Sequence, residues 1–464
     1  MFFHMISNLS EELNRPRWRV VMVAAGVAIP LAYLSYWAGV PQKGVTAFLI
    51  GLGAFLGLTI TCGWLAWRFL FRPVPMDEAG PRPLLLGSGQ RRLMAALLAL
   101  GSLALMVGGF WDEVWHRKYG LPFGQDLLWR PHLLIYFGLL LPPALAALSL
   151  VQIIKRGEGR LKERLRADPG MSLLVLLGAF LLFNVPADPI WHVIYGGDIS
   201  AWSLPHLILM LCAGLLALLG AFFQLSTAPG GEAWRPVWAL PWAASFALVF
   251  FTCAISIMAQ VLIGDFAAEN PMALIRPFWL LPTLMTALAL FMGTLANHAT
   301  RSFGAATAVG LLAVATRWAL VRVFNFGEIS ASAWLPLLPP LVALDLWYAF
   351  RIIRGRPPSS AATNGLAALA GAAASIWMIP SFYTFLHYDA MGLGVTLLIG
   401  WAAGSAANGL GRMAGDSLAT ASRNAQPLDA AFRQRAWVAP LLFGAAVLFI
   451  IYFVATAPPP IHTF

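Results

Sequence analysis

The chain has 464 residues, of which 59% are hydrophobic and only 11% charged, with a net charge of +10. Soluble domains carry about 25% charged residues, so this composition excludes an ordinary water-soluble enzyme. Apolar runs of about 18 residues or more recur from end to end, each long enough to cross a bilayer, and nothing alternates like the short strands of a membrane β-barrel.

Taken in order, residues 1–13 read as a short interfacial helix, with no cleavable signal peptide ahead of the first apolar run. About thirteen spans follow by the length rule: 20–40, 45–70, 93–111, 133–154, 171–185, 207–226, 238–263, 273–295, 305–323, 333–348, 362–379, 393–410 and 437–455. The expected fold is all-α, a polytopic transmembrane helical bundle forming one integral membrane domain over residues 1–464. The cysteines Cys62, Cys212 and Cys253 all lie inside apolar runs and read as packing residues.

Lys and Arg collect in cytoplasmic loops. With the N-terminus inside, 23 of the 30 basic residues fall on the inner side and 7 on the outer. The expected placement is therefore a multi-pass protein of the cell membrane, N-terminus cytoplasmic and C-terminus extracytoplasmic. The basic charge follows the membrane rule and argues against a nucleic-acid partner; the lipid bilayer is the partner that composition names.

One pattern occurs twice. Asp112-Glu-Val-Trp115-His116-Arg-Lys-Tyr119-Gly120 and Asp188-Pro-Ile-Trp191-His192-Val-Ile-Tyr195-Gly196 both fit D-x-x-W-H-x-x-Y-G. Each is followed by an Asp (Asp126, Asp198), a Trp (Trp129, Trp202) and a Pro-His pair (Pro131-His132, Pro205-His206) that opens a long apolar helix. The pattern defines an internal repeat, 93–154 and 171–226, expected as two parallel helical hairpins made of spans three and four and spans five and six. Spans three and five both run outward, so both copies are expected at the outer face.

If the helix continues through the motif, Asp112 and His116 share one face, as do Asp188 and His192. His132 and His206 re-enter the bilayer at the same side, each behind a first-turn proline. A carboxylate with two imidazoles makes a three-ligand metal set, suited to Cu, Zn, Fe or Ni. Asp112, His116 and His132, and Asp188, His192 and His206, are thus the candidate ligands. Trp115, Tyr119, Asp126, Trp191, Tyr195 and Asp198 would surround them. Trp and Tyr at a helix end also serve as interfacial anchors, which accounts for the rings but not for the matched Asp/His spacing.

The run D-x-x-W-H, then an Asp, then Pro and His opening an apolar helix, resembles the copper motif in the C subunit of the particulate methane and ammonia monooxygenases. The resemblance covers some twenty residues per copy, and the second copy is the closer match. It implies copper as cofactor, ligated by Asp188, His192 and His206 and in the first copy by Asp112, His116 and His132. It also implies an oxidoreductase activity of monooxygenase type inside the membrane.

Ionisable residues inside apolar runs are functional candidates because lipid penalises them. Arg317, Arg322 and Glu328 lie on or just beyond span nine, Asp345 in span ten, and His387 and Asp389 ahead of span twelve. Arg317 is a candidate partner of Asp345, Arg276 opens span eight near Asp265 and Glu269, and Gln260 and Asn297 are weaker candidates. No P-loop or nucleophile elbow is present.

Three functions stay open. The first is a membrane metalloprotein with a copper-type outer-face site, acting in oxidation or metal handling. The second is a proton-coupled secondary transporter using the same Asp and His groups. The third is a structural or assembly subunit held among other membrane subunits.

Overall fold

The computed structural model describes residues 85–119, 128–184, 201–227, 233–266, 275–324, 331–358, 361–382, 388–424 and 438–456, with isolated positions at 29, 33–36, 53, 57, 61 and 386. The first two expected spans lie almost wholly outside the described residues. The described elements are α1 (Ser88–Tyr119), α2 (Arg130–Arg156), α3 (Leu161–Ala167), α4 (Pro169–Asn184), α5 (Leu204–Leu225), α6 (Trp242–Leu262), α7 (Leu280–Thr300), α8 (Ala305–Val323), α9 (Leu338–Ile353), α10 (Ala361–Met378), α11 (Ala390–Asn424) and α12 (Val438–Ala455). Among the described residues, strand is confined to a two-residue parallel pair, β1 (Arg235–Pro236) with β2 (Ser302–Phe303), which ties the chain before α6 to the end of α7.

Among the described residues, eight helices are long and apolar enough to cross a membrane, and three more apolar helices are shorter. The chain is a helical integral membrane protein. Its surface agrees: Leu140, Leu148, Leu346, Trp377, Leu448 and Phe449 are exposed. A soluble protein rarely shows contiguous apolar area of that kind, whereas lipid is as apolar as leucine.

The expected elements differ from the observed ones mainly at their ends. α1 runs on through Asp112 to Tyr119 rather than stopping at 111. α7 starts at Leu280, behind Pro277, and continues through Asn297 and His298 to Thr300. α11 extends to Asn424, well past the expected end at 410. At 1.5 Å per residue it is about 50 Å long, more than the about 30 Å of a hydrocarbon layer.

Successive helices run between two ends of the bundle, and small residues set how closely they approach. Gly101 and Gly138 bring α1 against α2, and Gly178 brings α4 against Ala146 and Pro142 of α2. Along α11, Gly400, Gly404, Gly411 and Gly415 face α7 and α10, and the Gly415 position lies against His298 and Leu295. Close backbone approach through glycine is a principal source of helix association in lipid.

At one end, Arg91 near the start of α1 is fully buried. Its Nη2 donates to Asp168 Oδ2, its Nη1 to Ser226 Oγ at 3.3 Å and its Nε to Leu86 O at 3.3 Å. Asp168 Oδ1 in turn accepts from the Met171 N–H at 3.3 Å, in the first turn of α4. Burial pushes the Asp168 carboxyl up from its ordinary range, and the Arg91 charge pulls it back. The pair therefore holds the starts of α1 and α4 level, with the end of α5 beside them.

Removing one member of a buried ion pair costs about 3–5 kcal/mol, whereas replacing both with apolar residues is close to neutral. Arg91→Met should lower unfolding stability in detergent by about that amount. Arg91→Met with Asp168→Leu should recover most of the loss, short by about 1 kcal/mol for the forfeited cap on α4. Thermal unfolding of the three proteins checks this.

Candidate functional site

The far end of α1 carries the first motif copy. Helical backbone runs without a break from Asp112 through His116, so the two positions lie one turn apart on one face. α2 begins at Arg130 with a proline in its first turn, which costs no backbone hydrogen bond there. This brings His132 back to α1. Its Nε2 lies 2.7 Å from Asp112 Oδ1, with the side chains 17% and 23% exposed. Tyr136, one turn further along α2, stacks obliquely on His132 at 5.9 Å.

The approach of the two helices here is set by Gly108, one turn before Asp112. A Cβ at that position would stand 2.9 Å from Pro131 O and 2.9 Å from Leu134 Cβ. Asn184 stands four residues before Asp188 in the sequence, and its Nδ2 donates to Pro205 O at 3.4 Å. The residue four before each motif Asp thus faces the carbonyl of the proline that precedes each second histidine.

Of the second copy, His206 and its neighbourhood are described. Its Nδ1 lies 3.1 Å from Ser203 Oγ, the residue that begins α5. Trp202 is fully buried and donates from Nε1 to Val261 O at 2.8 Å. The Arg276 guanidinium lies over the Trp202 ring at 3.6 Å, and Phe266 meets that ring edge-on at 5.3 Å. Trp202 is therefore a core anchor binding the start of α5 to the end of α6, and Arg276 is engaged there.

Asp188, Trp191, His192, Tyr195, Asp198, Asp126, Glu328 and His387 lie outside the described residues, as do the side chains of Trp115, His116 and Tyr119. Among the described residues, no group of three or more His, Cys, Asp or Glu could hold a metal ion. Of the expected ligands of the first copy, the side chains of Asp112 and His132 are described, and they are in contact.

The remaining candidates separate into distinct roles. Asp389 Oδ1 accepts from the Gly392 N–H at 2.6 Å and caps α11. Arg322 is exposed and lies over the Trp318 ring at 5.4 Å. Arg317 is buried, donates to Gln260 Oε1 at 2.5 Å and lies over Phe110 at 4.2 Å. The expected Arg317–Asp345 pairing gives way to a different arrangement. Asp345 Oδ2 accepts from the Thr307 N–H at 2.7 Å, and Oδ1 from Asn297 Nδ2 at 2.6 Å. Thr307 and Arg317 are ten residues apart on α8, about 15 Å along its axis, which puts the arginine out of reach.

Asn297 and Asp345 together cap α8 from outside, since Asn297 Oδ1 also accepts from the Ala306 N–H at 2.9 Å. A carboxylate at a helix N-terminus is favourable and satisfies first-turn donors that have no intrahelical partner. His298 is the centre that spacing and composition did not single out. Its Nδ1 is 3.0 Å from Asp416 Oδ1 and its Nε2 3.1 Å from Tyr348 Oη. Arg301 Nη1 reaches the same Asp416 oxygen at 3.0 Å. The visible signal was a His and an Asn side by side in an apolar run, a pairing that lipid does not tolerate without partners.

Compared with known proteins, the chain matches no protein-family model, no curated protein and no solved structure.

Asp345→Ala removes an acceptor from two buried donors, each costing about 1–3 kcal/mol. It should lower unfolding stability by about 2–5 kcal/mol, and Asp345→Asn, which keeps one acceptor, should lose less. Chemical unfolding in detergent measures both.

Proposed function

We propose that the chain is an integral membrane metalloprotein whose outer-face site holds a copper-type ion, and that it acts in oxidation or in metal handling. The observation that carries this reading is the 2.7 Å approach of Asp112 Oδ1 and His132 Nε2. Two residues taken as co-ligands from spacing alone meet across separate helices. The donor chemistry fits, because a carboxylate and an imidazole suit a borderline divalent ion, and His116 is one helical turn from Asp112. Asp112, His116 and His132 would hold the ion in the first copy, and Asp188, His192 and His206 in the second. A bound copper-type ion supplies a redox or Lewis-acid centre. The chain's own residues position it: Gly108 lets α1 and α2 close, and the proline opening of α2 turns His132 back toward α1.

The matching Gly108–Pro131 and Asn184–Pro205 approaches support reading spans three to six as a repeated pair of hairpins within about thirteen spans. The buried Arg91–Asp168 pair at the opposite end supports their parallel orientation. The distribution of Lys and Arg supports placing the motif end outside and the Arg91 end in the cytoplasm. The resemblance of the motif to the copper motif of the methane and ammonia monooxygenase C subunit supports copper over other ions. A second reading, a proton-coupled transporter, draws on the same contact, since a carboxylate bonded to an imidazole can also share a proton.

Elemental analysis of the purified full chain after metal loading tests the proposal. A stoichiometric transition metal is expected, with losses in His132→Ala and His116→Ala and a separate loss in His192→Ala. Absence of stoichiometric metal, or its retention in all three variants, would overturn it. Solute uptake into vesicles that needs a proton gradient and no metal would favour the second reading.

A further inference from the structure

Two polar residues of α6, Ser256 and Gln260, lie one turn apart and face a space between α1, α6 and α8. Arg317 of α8 reaches into the same place. It is 1% exposed and Ser256 is 2% exposed. The Arg317 Nη1 donates to Gln260 Oε1 at 2.5 Å. Its guanidinium lies 4.2 Å from the centre of the Phe110 ring of α1 and 5.2 Å from that of Trp334, ahead of α9. Phe110 is two residues before Asp112, so this buried charge sits near the motif end of α1.

The space is a cavity of about 10 Å³, with Ser256, Gln260, Thr316 and Arg317 on its polar side and Met106 and the two rings on its apolar side. That is room for one body about the size of a water molecule. The Ser256 hydroxyl is buried and has no hydrogen-bond partner among the described residues. Helical hydroxyls ordinarily bond the carbonyl one turn back, as Ser245 does on the same helix, to Pro241 O at 3.3 Å. Ser256 makes no such bond, and its hydroxyl is left for the cavity.

The chemistry of the lining decides what fits. Arg317 has donors only, and Ser256 and Thr316 each bring a hydroxyl hydrogen. Gln260 Oε1, the one side-chain carbonyl, already accepts from Arg317. A water would add two hydrogens to a space already rich in them. A halide donates none and accepts from several N–H and O–H groups at once. Among the described residues no carboxylate lines the cavity; Glu113 stands near Gly264 and the Gln260 amide nitrogen, outside the lining. A hydrogen bond from a guanidinium to an anion is about twice as strong as a neutral one. Burying an ion is costly unless an opposite charge and hydrogen bonds meet it, and here the guanidinium and the hydroxyl are both already in place.

We propose that the cavity between α1, α6 and α8 is a binding site for one halide ion, held by the Ser256 hydroxyl and the Arg317 guanidinium. Gln260 Oε1 fixes the guanidinium, and the size of the cavity admits a single atom and excludes carboxylates and sulfate. The ion links a residue of α6 to one of α8 beside the aromatic wall from α1, so its binding tightens the packing of these three helices. The site rests on buried groups of the bundle and is independent of the metal site.

Thermal unfolding of the purified full chain in detergent reads the site, with sodium gluconate replaced by sodium chloride or bromide at constant ionic strength. A ligand of the folded state raises the unfolding temperature with the logarithm of its concentration once that exceeds its Kd. Chloride and bromide should do so, and gluconate, too large for the cavity, should not. Ser256→Ala removes a hydroxyl that has no partner among the described residues, so in gluconate it should unfold like wild type. The halide concentration at which its stabilisation sets in should be about tenfold higher or more, as expected for one lost hydrogen bond to a charge. Ser245→Ala, whose hydroxyl is spent on Pro241 O, should keep the wild-type onset. No halide-dependent rise in wild type, the result for a cavity that holds water only, overturns the proposal. So does an unchanged onset in Ser256→Ala, or an equal shift in Ser245→Ala.

Discussion

Two charges taken out of water at the Arg91 end govern where the motif lands at the other. Arg91 and Asp168 belong to the openings of α1 and α4, and both are fully buried. An ion pair in that position gains little net stability over an apolar pair. What it does impose is register: one partner displaced by a turn would strand the other charge among apolar side chains. With α1 and α4 level at their starts, the motif end of α1 and the end of α4 lie on one side of the bundle. Ser226 at the end of α5 joins the same cluster, so the return helix of the second hairpin is fixed as well.

Lipid offers no hydrogen bonds, so every polar group in the bundle needs an internal partner. That rule explains Asp345, whose oxygens are taken up by the start of α8. It explains Arg317, set between Gln260 and two aromatic faces, where a guanidinium gains cation–π attraction as well as a hydrogen bond. It also explains Trp202, anchored through Val261 O beneath Arg276. These groups are polar for structural reasons. The Asp112–His132 pair and the His298–Asp416 pair differ, because each keeps part of its surface exposed.

Apolar length alone made the helices legible, because eleven expected spans coincide with described apolar helices and only their ends moved. The ends moved for identifiable reasons. Hydropathy closes a span where polar residues begin, but α7 continues through Asn297 and His298 because Asp345, Asp416 and Tyr348 satisfy them. α11 continues past 410 because a helix does not need lipid once its small face is packed on α7. The Asp112–His132 contact was legible because the helix does continue through Asp112, and Pro131 does turn His132 back. The Arg317–Asp345 pairing was misread because sequence depth ignores the axial offset between α8 and α9. His298 passed unnoticed because its hydrogen-bond partners come from two other helices, α9 and α11, and no local spacing announces that.

The central claim is that an acid–imidazole site at the motif end of the α1–α2 hairpin holds a copper-type ion. X-ray absorption at the metal edge of the loaded, purified chain addresses it most directly. The account predicts a shell of nitrogen and oxygen donors with the outer scattering of imidazole, weakened in His132→Ala. A shell without imidazole, or a spectrum unchanged by that substitution, would contradict it.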